Sequence, residues 1–238
     1  MLQLPNGELQ IYFANEAPYT NSNEQEISMI TSSDNGKTWS KEIKTVSFRA
    51  SKRDGMPVAL LAGDEILVSI EDNKVGEFKP YIIRNRISDN WKYPVLTASR
   101  SREYALKDSL PEKIYAGAPY IMRLSSGEII LSYQTTKGRT SDWELSTMEV
   151  AVGDDKGRSF DKITQPFQIF PDKQAKWNSI SLGDERTIVA ASSTDMYTKN
   201  VSVLMILGHI IPELKTSEGI IPVQDDNYQI FIGHKGKT

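Results

Sequence analysis

The stretch Thr31-Ser32-Ser33-Asp34-Asn35-Gly36-Lys37-Thr38-Trp39 decides the fold. Asp-Asn-Gly is turn chemistry: Asp and Asn bond their own backbone and tolerate left-handed dihedrals, and Gly adopts positive φ without a steric penalty. Ahead of it, Glu26–Ser32 alternates roughly between apolar and polar residues, and Lys41–Val46 alternates behind it. Two alternating runs around an Asn-Gly turn predict a β-hairpin. A carboxylate at Asp34 can accept the backbone N–H groups that so tight a loop leaves unpaired. Trp39 leaves the turn as a large apolar plug, expected to pack in the core.

The chain repeats itself around this hairpin. Four segments share a short glycine-containing turn between two apolar strands, with turn glycines Gly7, Gly63, Gly127 and Gly183 spaced by 56, 64 and 56 residues. A second loop, Gly153–Phe160, aligns with the first at Asp155, Gly157, Ser159 and Phe160. At the same offset, the second repeat carries the worn version Ser88-Asp89-Asn90-Trp91. Each repeat therefore holds about four short strands, and four-stranded units at a fixed period predict an all-β protein, a β-propeller of antiparallel blades. Helix is confined to one short turn, expected within Ser101–Ser109. The blades are assigned to residues 1–208, and residues 209–238 to a connector and the start of a further strand or domain. Four repeats of this length give either part of a longer propeller or a compact ring of four or five blades.

Composition narrows the function. The 238 residues carry a formal charge of −3 and no basic run, so neither nucleic-acid nor anionic-membrane binding is expected. There is no cysteine and only two histidines, His209 and His234, which leaves no basis for a thiolate or histidine metal site; no metal and no cofactor is expected. No stretch reaches the length of a membrane span. The opening Met1–Gly7 lacks the charged and apolar regions of a signal peptide, although absence of cysteine is compatible with an exported protein.

In a propeller the inner strands line a central pit, and loops at one end of it carry function. The strand ends at that rim are rich in the right chemistry: Glu16 after the first repeat's second strand, Glu71 and Asp72 after the next, and Tyr133-Gln134 in the third. The inner-strand starts add Arg53-Asp54, Tyr120, and Trp177-Asn178. Carboxylates from separate blades can divide acid and nucleophile roles in glycoside hydrolysis. Arg53, Asp54, Asp72, Gln134 and Asn178 are candidate hydrogen-bonding partners for a sugar; Tyr120 and Trp177 offer flat faces to a ring. Trp143, in the polar loop Thr140–Glu144, reads equally as a sugar platform or a capping side chain.

The pattern Ser32-x-Asp34-x-Gly36-x-Thr38-Trp39 resembles the Asp-box, or BNR repeat, of the sialidase superfamily, with Asp155, Gly157 and Phe160 as its second copy. That resemblance implies a structural role for these residues, on the face away from the active site. The segments R-D-G-M-P-V, V-S-I-E-D-N, Y-A-G-A-P-Y and L-S-Y-Q further resemble exo-α-1,5-arabinanases of that superfamily, over roughly residues 1–208. This implies a six-bladed propeller and a retaining glycosidase using two glutamates, with Glu16 as nucleophile, Glu71 as acid/base and Tyr133 assisting near the reacting centre. It also implies a terminal sugar of a glycan or polysaccharide as substrate, and a secreted, periplasmic or cell-surface location. Three arginines arranged as in true sialidases are not found. The alternative is a non-catalytic propeller that binds carbohydrate.

Overall fold

In the computed structural model, residues 1–167, 169–184, 187–196 and 199–208 are described in full, and 209–210, 213–216, 219–222 and 230–233 by their strand pairing. The fold is all-β, built as four antiparallel four-stranded sheets that follow one another along the chain. Blade 1 comprises β1 (Leu2–Gln3), β2 (Leu9–Asn15), β3 (Glu26–Ser32) and β4 (Lys44–Ser47). Blade 2 comprises β5 (Asp54–Ala62), β6 (Glu65–Asp72), β7 (Lys79–Arg86) and β8 (Arg102–Tyr104). Blade 3 comprises β9 (Ala116–Arg123), β10 (Ile129–Thr135), β11 (Thr147–Gly153) and β12 (Asp161–Thr164). Blade 4 comprises β13 (Ala175–Leu182), β14 (Thr187–Thr194) and β15 (Ser202–Ile210); after the ribbon β16 (Glu213–Thr216) and β17 (Gly219–Pro222), β18 (Ile230–Gly233) pairs with β15 as its fourth strand. The one helical turn expected at 101–109 is instead strand β8, because residues 102–104 complete the outer edge of blade 2 against β7.

The core lies between blades. Ile27 and Met29 of blade 1 meet Ile66, Val68, Ile70 and Ile83 of blade 2. Leu67 and Ile82 of blade 2 meet Ile121, Leu131 and Tyr133 of blade 3, and Met148 and Val150 of blade 3 meet Ile180, Ile188 and Ile206 of blade 4. Each strand thus sends alternate side chains to the two neighbouring blades, as the period-2 geometry requires. On β15 the corresponding stripe is open: Val203 and Met205 are 77% and 68% exposed.

The third-to-fourth strand turns behave as their chemistry predicts, with two corrections. Asp34 accepts the Thr38 N–H (2.9 Å) and hydroxyl (2.6 Å), Ser32 Oγ accepts the Gly36 N–H (2.9 Å), and Asn35 and Gly36 take positive φ. These bonds hold the Asp34 carboxyl down at about 2, the Thr38 hydroxyl contributing most. In the second loop the equivalent acceptor is Asp154, not Asp155: it takes the Lys156 and Arg158 N–H groups, the latter four residues on, as Thr38 is from Asp34. Phe160 fills the core between blades 2 and 3, packed over Gly153 and Gly157, and Trp91 does the same between blades 1 and 2, donating to Tyr12 OH at 2.8 Å. Trp39 is only half-buried and lies outside these clusters, against Gly36. The reason is topological. Trp91 and Phe160 each fill space between their own blade and the one before it, and among the described residues no sheet precedes blade 1.

Candidate active site

The first-to-second strand turns and the loops just described lie at one end of the blades. The second-strand ends and inner-strand starts lie at the other, where the chemistry collects. Each inner strand of blades 2, 3 and 4 carries a β-bulge there, between Gly55 and Val58, at Gly117–Tyr120, and between Lys176 and Ser179. Within these bulges Met56, Ala118 and Trp177 take φ of +51°, +49° and +54°. Side chains rarely adopt that conformation, and repeating it three times is a property of the blade. Its effect is to turn a backbone N–H out of the ladder, toward the preceding blade.

The preceding blade supplies the acceptor. Glu71 and Gln134 are each the penultimate residue of a second strand. Glu71 Oε2 accepts the Ala118 N–H at 2.8 Å, and Gln134 Oε1 accepts the Trp177 N–H at 2.9 Å. The same joint is thus made once with a carboxylate and once with an amide. Burial pushes the Glu71 carboxyl upward; the Ala118 N–H and the nearby Arg53 charge oppose it less strongly. Two glycines pack closely beside it: a Cβ on Gly55 would stand 2.9 Å from Glu71 Oε1, and one on Gly117 would stand 2.6 Å from Oε2 and closer still to the Tyr115 hydroxyl. Tyr115 OH therefore shares the space beside Gly117 with Glu71. It accepts from Gln134 Nε2 at 2.9 Å, and burial pushes its own titration up to about 12.

Arg53 links Glu71 to blade 1. Its guanidinium pairs with Glu16 and with Gln25 Oε1, and donates to the Asn23 carbonyl at 3.0 Å. Glu16 stands at the start of a 3₁₀ turn, Ala17–Tyr19, with its side chain 62% exposed. On the other side, Trp143 and Trp177 meet edge to face at 6.1 Å, Tyr115 lies 6.4 Å from Trp143, and Lys176, paired with Glu144, sits 4.7 Å over the Trp143 ring. The result is an arc across four blades: Glu16 and Gln25, then Arg53 and Glu71, then Tyr115 and Trp143, then Lys176 and Trp177.

Several expected residues are not in this arc. Asp54 and Asp72 are fully buried in an ion cluster. Arg102 binds Asp54 through both guanidinium nitrogens (2.8 and 2.6 Å) and reaches Asp72 at 2.9 Å; Arg49 also binds Asp72, and Ser47 binds Asp54. Two carboxylates facing across the β5–β6 ladder need two guanidinium groups to be buried together, so these acids organise the blade 1–blade 2 joint and face no ligand. Tyr133 is fully buried in the core and donates to Glu149 at 2.6 Å, away from the reacting centre proposed for it. Gln134 is buried behind the arc with both ends of its amide engaged. Tyr120 packs in the blade 3–blade 4 core, and Asn178 folds back on the Ala175 carbonyl at 3.1 Å. Gln25, Tyr115 and Lys176 were missed. Tyr115 opens the quoted Y-A-G-A-P-Y segment, Lys176 precedes Trp177 and Gln25 precedes the strand Glu26–Ser32, and only the inter-blade pairing reveals which neighbour faces inward. Among the described residues no group of three or more His, Asp or Glu side chains is placed to hold a metal ion.

No protein-family model matches the sequence, and no curated protein is similar to it. Solved structures share its architecture. A protein of unknown function from Dyadobacter fermentans superposes with a TM-score of 0.63 at 12% identity, over 86% of this chain and 51% of that one. An α-L-arabinanase of Penicillium chrysogenum, complexed with arabinobiose, gives 0.58 at 13% identity, over 87% and 60%. A family 117 glycoside hydrolase of Zobellia galactanivorans gives 0.56 at 12% identity, over 97% and 66%. The chain spans half to two-thirds of the length of these structures. At such identities the likeness is one of fold: this chain folds as a β-propeller of the kind that glycoside hydrolases use.

Proposed function

We propose that the chain forms the catalytic rim of an exo-acting glycosidase that removes a terminal sugar by a two-carboxylate retaining mechanism. The observation carrying this reading is Glu71: a carboxyl raised by burial, anchored by one backbone N–H, and walled by two glycines that leave its oxygens room. A carboxyl raised by burial keeps its proton to higher pH than a free one, the direction a general acid needs. Glu16, exposed and ion-paired to Arg53, is the nucleophile in this scheme. Its oxygen attacks the anomeric carbon as the glycosidic C–O bond breaks, and Glu71 gives its proton to the departing oxygen. Water then attacks the glycosyl ester, Glu71 takes its proton, and Glu16 is released. An α-L-arabinofuranosyl unit is the first sugar to test, since structures of this fold include an arabinanase holding arabinobiose. A sialate ligand is disfavoured: Arg123 and Arg139 bond backbone carbonyls, and Arg49 and Arg102 bond buried carboxylates, so these four cannot clamp a carboxylated sugar. The family assignment to sialidase-type Asp-box proteins, the secreted location, and the division into blades at 1–208 and a connector with a further strand at 209–238 belong to this proposal, the further strand being β18, which pairs with β15 in blade 4.

The test is turnover of an aryl-glycoside panel that includes the α-L-arabinofuranoside. E71Q and E16Q should each lose at least ~100-fold in kcat on the substrate that wild type cleaves, with unchanged circular dichroism. Full activity in both variants would defeat the proposal. The exposure of Glu16 and its neutralisation by Arg53 favour one second reading, a propeller that binds carbohydrate without cleaving it. Sugar binding with no turnover by wild type would select that reading.

A further inference from the structure

Trp177 is a large aromatic in a conformation that disfavours large side chains, and it is left 58% exposed. Core packing explains neither feature. Backbone strain of this kind persists where the surrounding structure enforces it and collects at ligand sites. Here the Gln134 amide enforces it from the neighbouring blade. At the equivalent bulge beside Glu71 stands Ala118, with a small side chain, and at that of blade 2 stands Met56, 44% exposed. Trp143, 40% exposed, meets Trp177 edge-on, while Lys176 covers the Trp143 ring and is itself neutralised by Glu144. The face left for stacking is that of Trp177. Glu71 and Trp177 flank the same third-blade pair, since Gln134, which binds Trp177, lies opposite Gly117, next to the Ala118 that binds Glu71.

From this we infer that Trp177, braced by Trp143, is a second sugar subsite adjoining Glu71, so that the ligand is a neutral chain of at least two sugar rings. An aromatic face rimmed by hydrogen-bonding groups suits a ring with one apolar face and a hydroxyl edge. A nucleic-acid strand would need cations left over for its phosphates, and the two cations of the arc, Arg53 and Lys176, are each paired with a glutamate. The inference rests on the carbohydrate reading above, but not on hydrolysis.

The experiment is calorimetric binding of linear neutral trisaccharides (α-1,5-arabinotriose, β-1,4-xylotriose, β-1,4-mannotriose) and their monosaccharides to E71Q, with and without W177A or W177F. W177A should weaken the best trisaccharide about tenfold or more, the loss expected for an aromatic stacking contact. W177F should restore most of that affinity, and monosaccharide affinity should not move. The inference is overturned by an unchanged trisaccharide affinity, by equal weakening of mono- and trisaccharide, or by failure of all three trisaccharides to bind. If W177A fails to fold, protection of the Trp177 side chain from N-bromosuccinimide by the same trisaccharide, followed by peptide mass spectrometry, decides the question. Normal turnover by E71Q would remove Glu71 from catalysis and leave this result standing, so the two readings fail separately.

Discussion

Glu71 and Gln134 hold the same place on adjacent blades, and each caps a backbone N–H on the next. An amide therefore suffices for the structural task, and the charge at Glu71 is surplus to the fold. That surplus has a measurable sign. Burial raises the Glu71 carboxyl above its ordinary 4.5, so between that value and the raised one the folded chain binds more protons than the unfolded chain. Stability then falls as pH rises through this window, since unfolding releases that proton, and it stops falling once the folded group has ionised as well. E71Q lacks the titrating group. Its Tm should match wild type below about pH 4, exceed it increasingly as pH rises, and level off above the raised value. Parallel Tm curves for the two proteins between pH 3 and 8 would mean that the carboxyl is not buried as described.

At the scale of elements, the turn after each third strand has two separable jobs. One is local: Asp34 or Asp154 closes the loop on backbone N–H groups. The other is long-range: Trp91 or Phe160 fills the space to the preceding blade. The Asp34–Trp39 loop does the first without the second. W91A should therefore cost roughly 3–5 kcal/mol, the usual loss for truncating a fully buried aromatic, and W39A clearly less, both read from urea denaturation midpoints. Equal losses would contradict the placement of Trp39. The hairpin around Asp34–Gly36 and the four-strand period were legible in the sequence, because turn residues and alternation are local signals. The failure of Trp39 to reach a core was not, since burial depends on what lies across the blade face. The same limit governs the acids. Asp54 and Asp72 sit beside Arg53 and Glu71 in sequence, yet strand alternation sends them to the opposite side, into the pairing with Arg49 and Arg102. Tyr133 was lost in the same way, its ring directed into the blade 2–blade 3 core.

At the scale of the molecule, the four blades bring Glu16, Arg53, Glu71 and Trp177, spread over more than 160 residues, to one end, while the Asp-centred turns occupy the other. The turn end has a cleft of its own, lined by Glu8, Ser40, Glu42, Lys44 and Asn90. There, however, Glu8 is taken up by Gln10 and Asn90, and no aromatic platform stands beside it. On the proposed function, sugar binds at the loop end, between residues 71 and 177. A crystal structure of E71Q soaked with the best-binding trisaccharide tests it most directly. One sugar ring should lie beside the residue-71 side chain and a second should stack on Trp177; density at the Glu8–Asn90 cleft, with the loop end empty, would rule out a sugar site there.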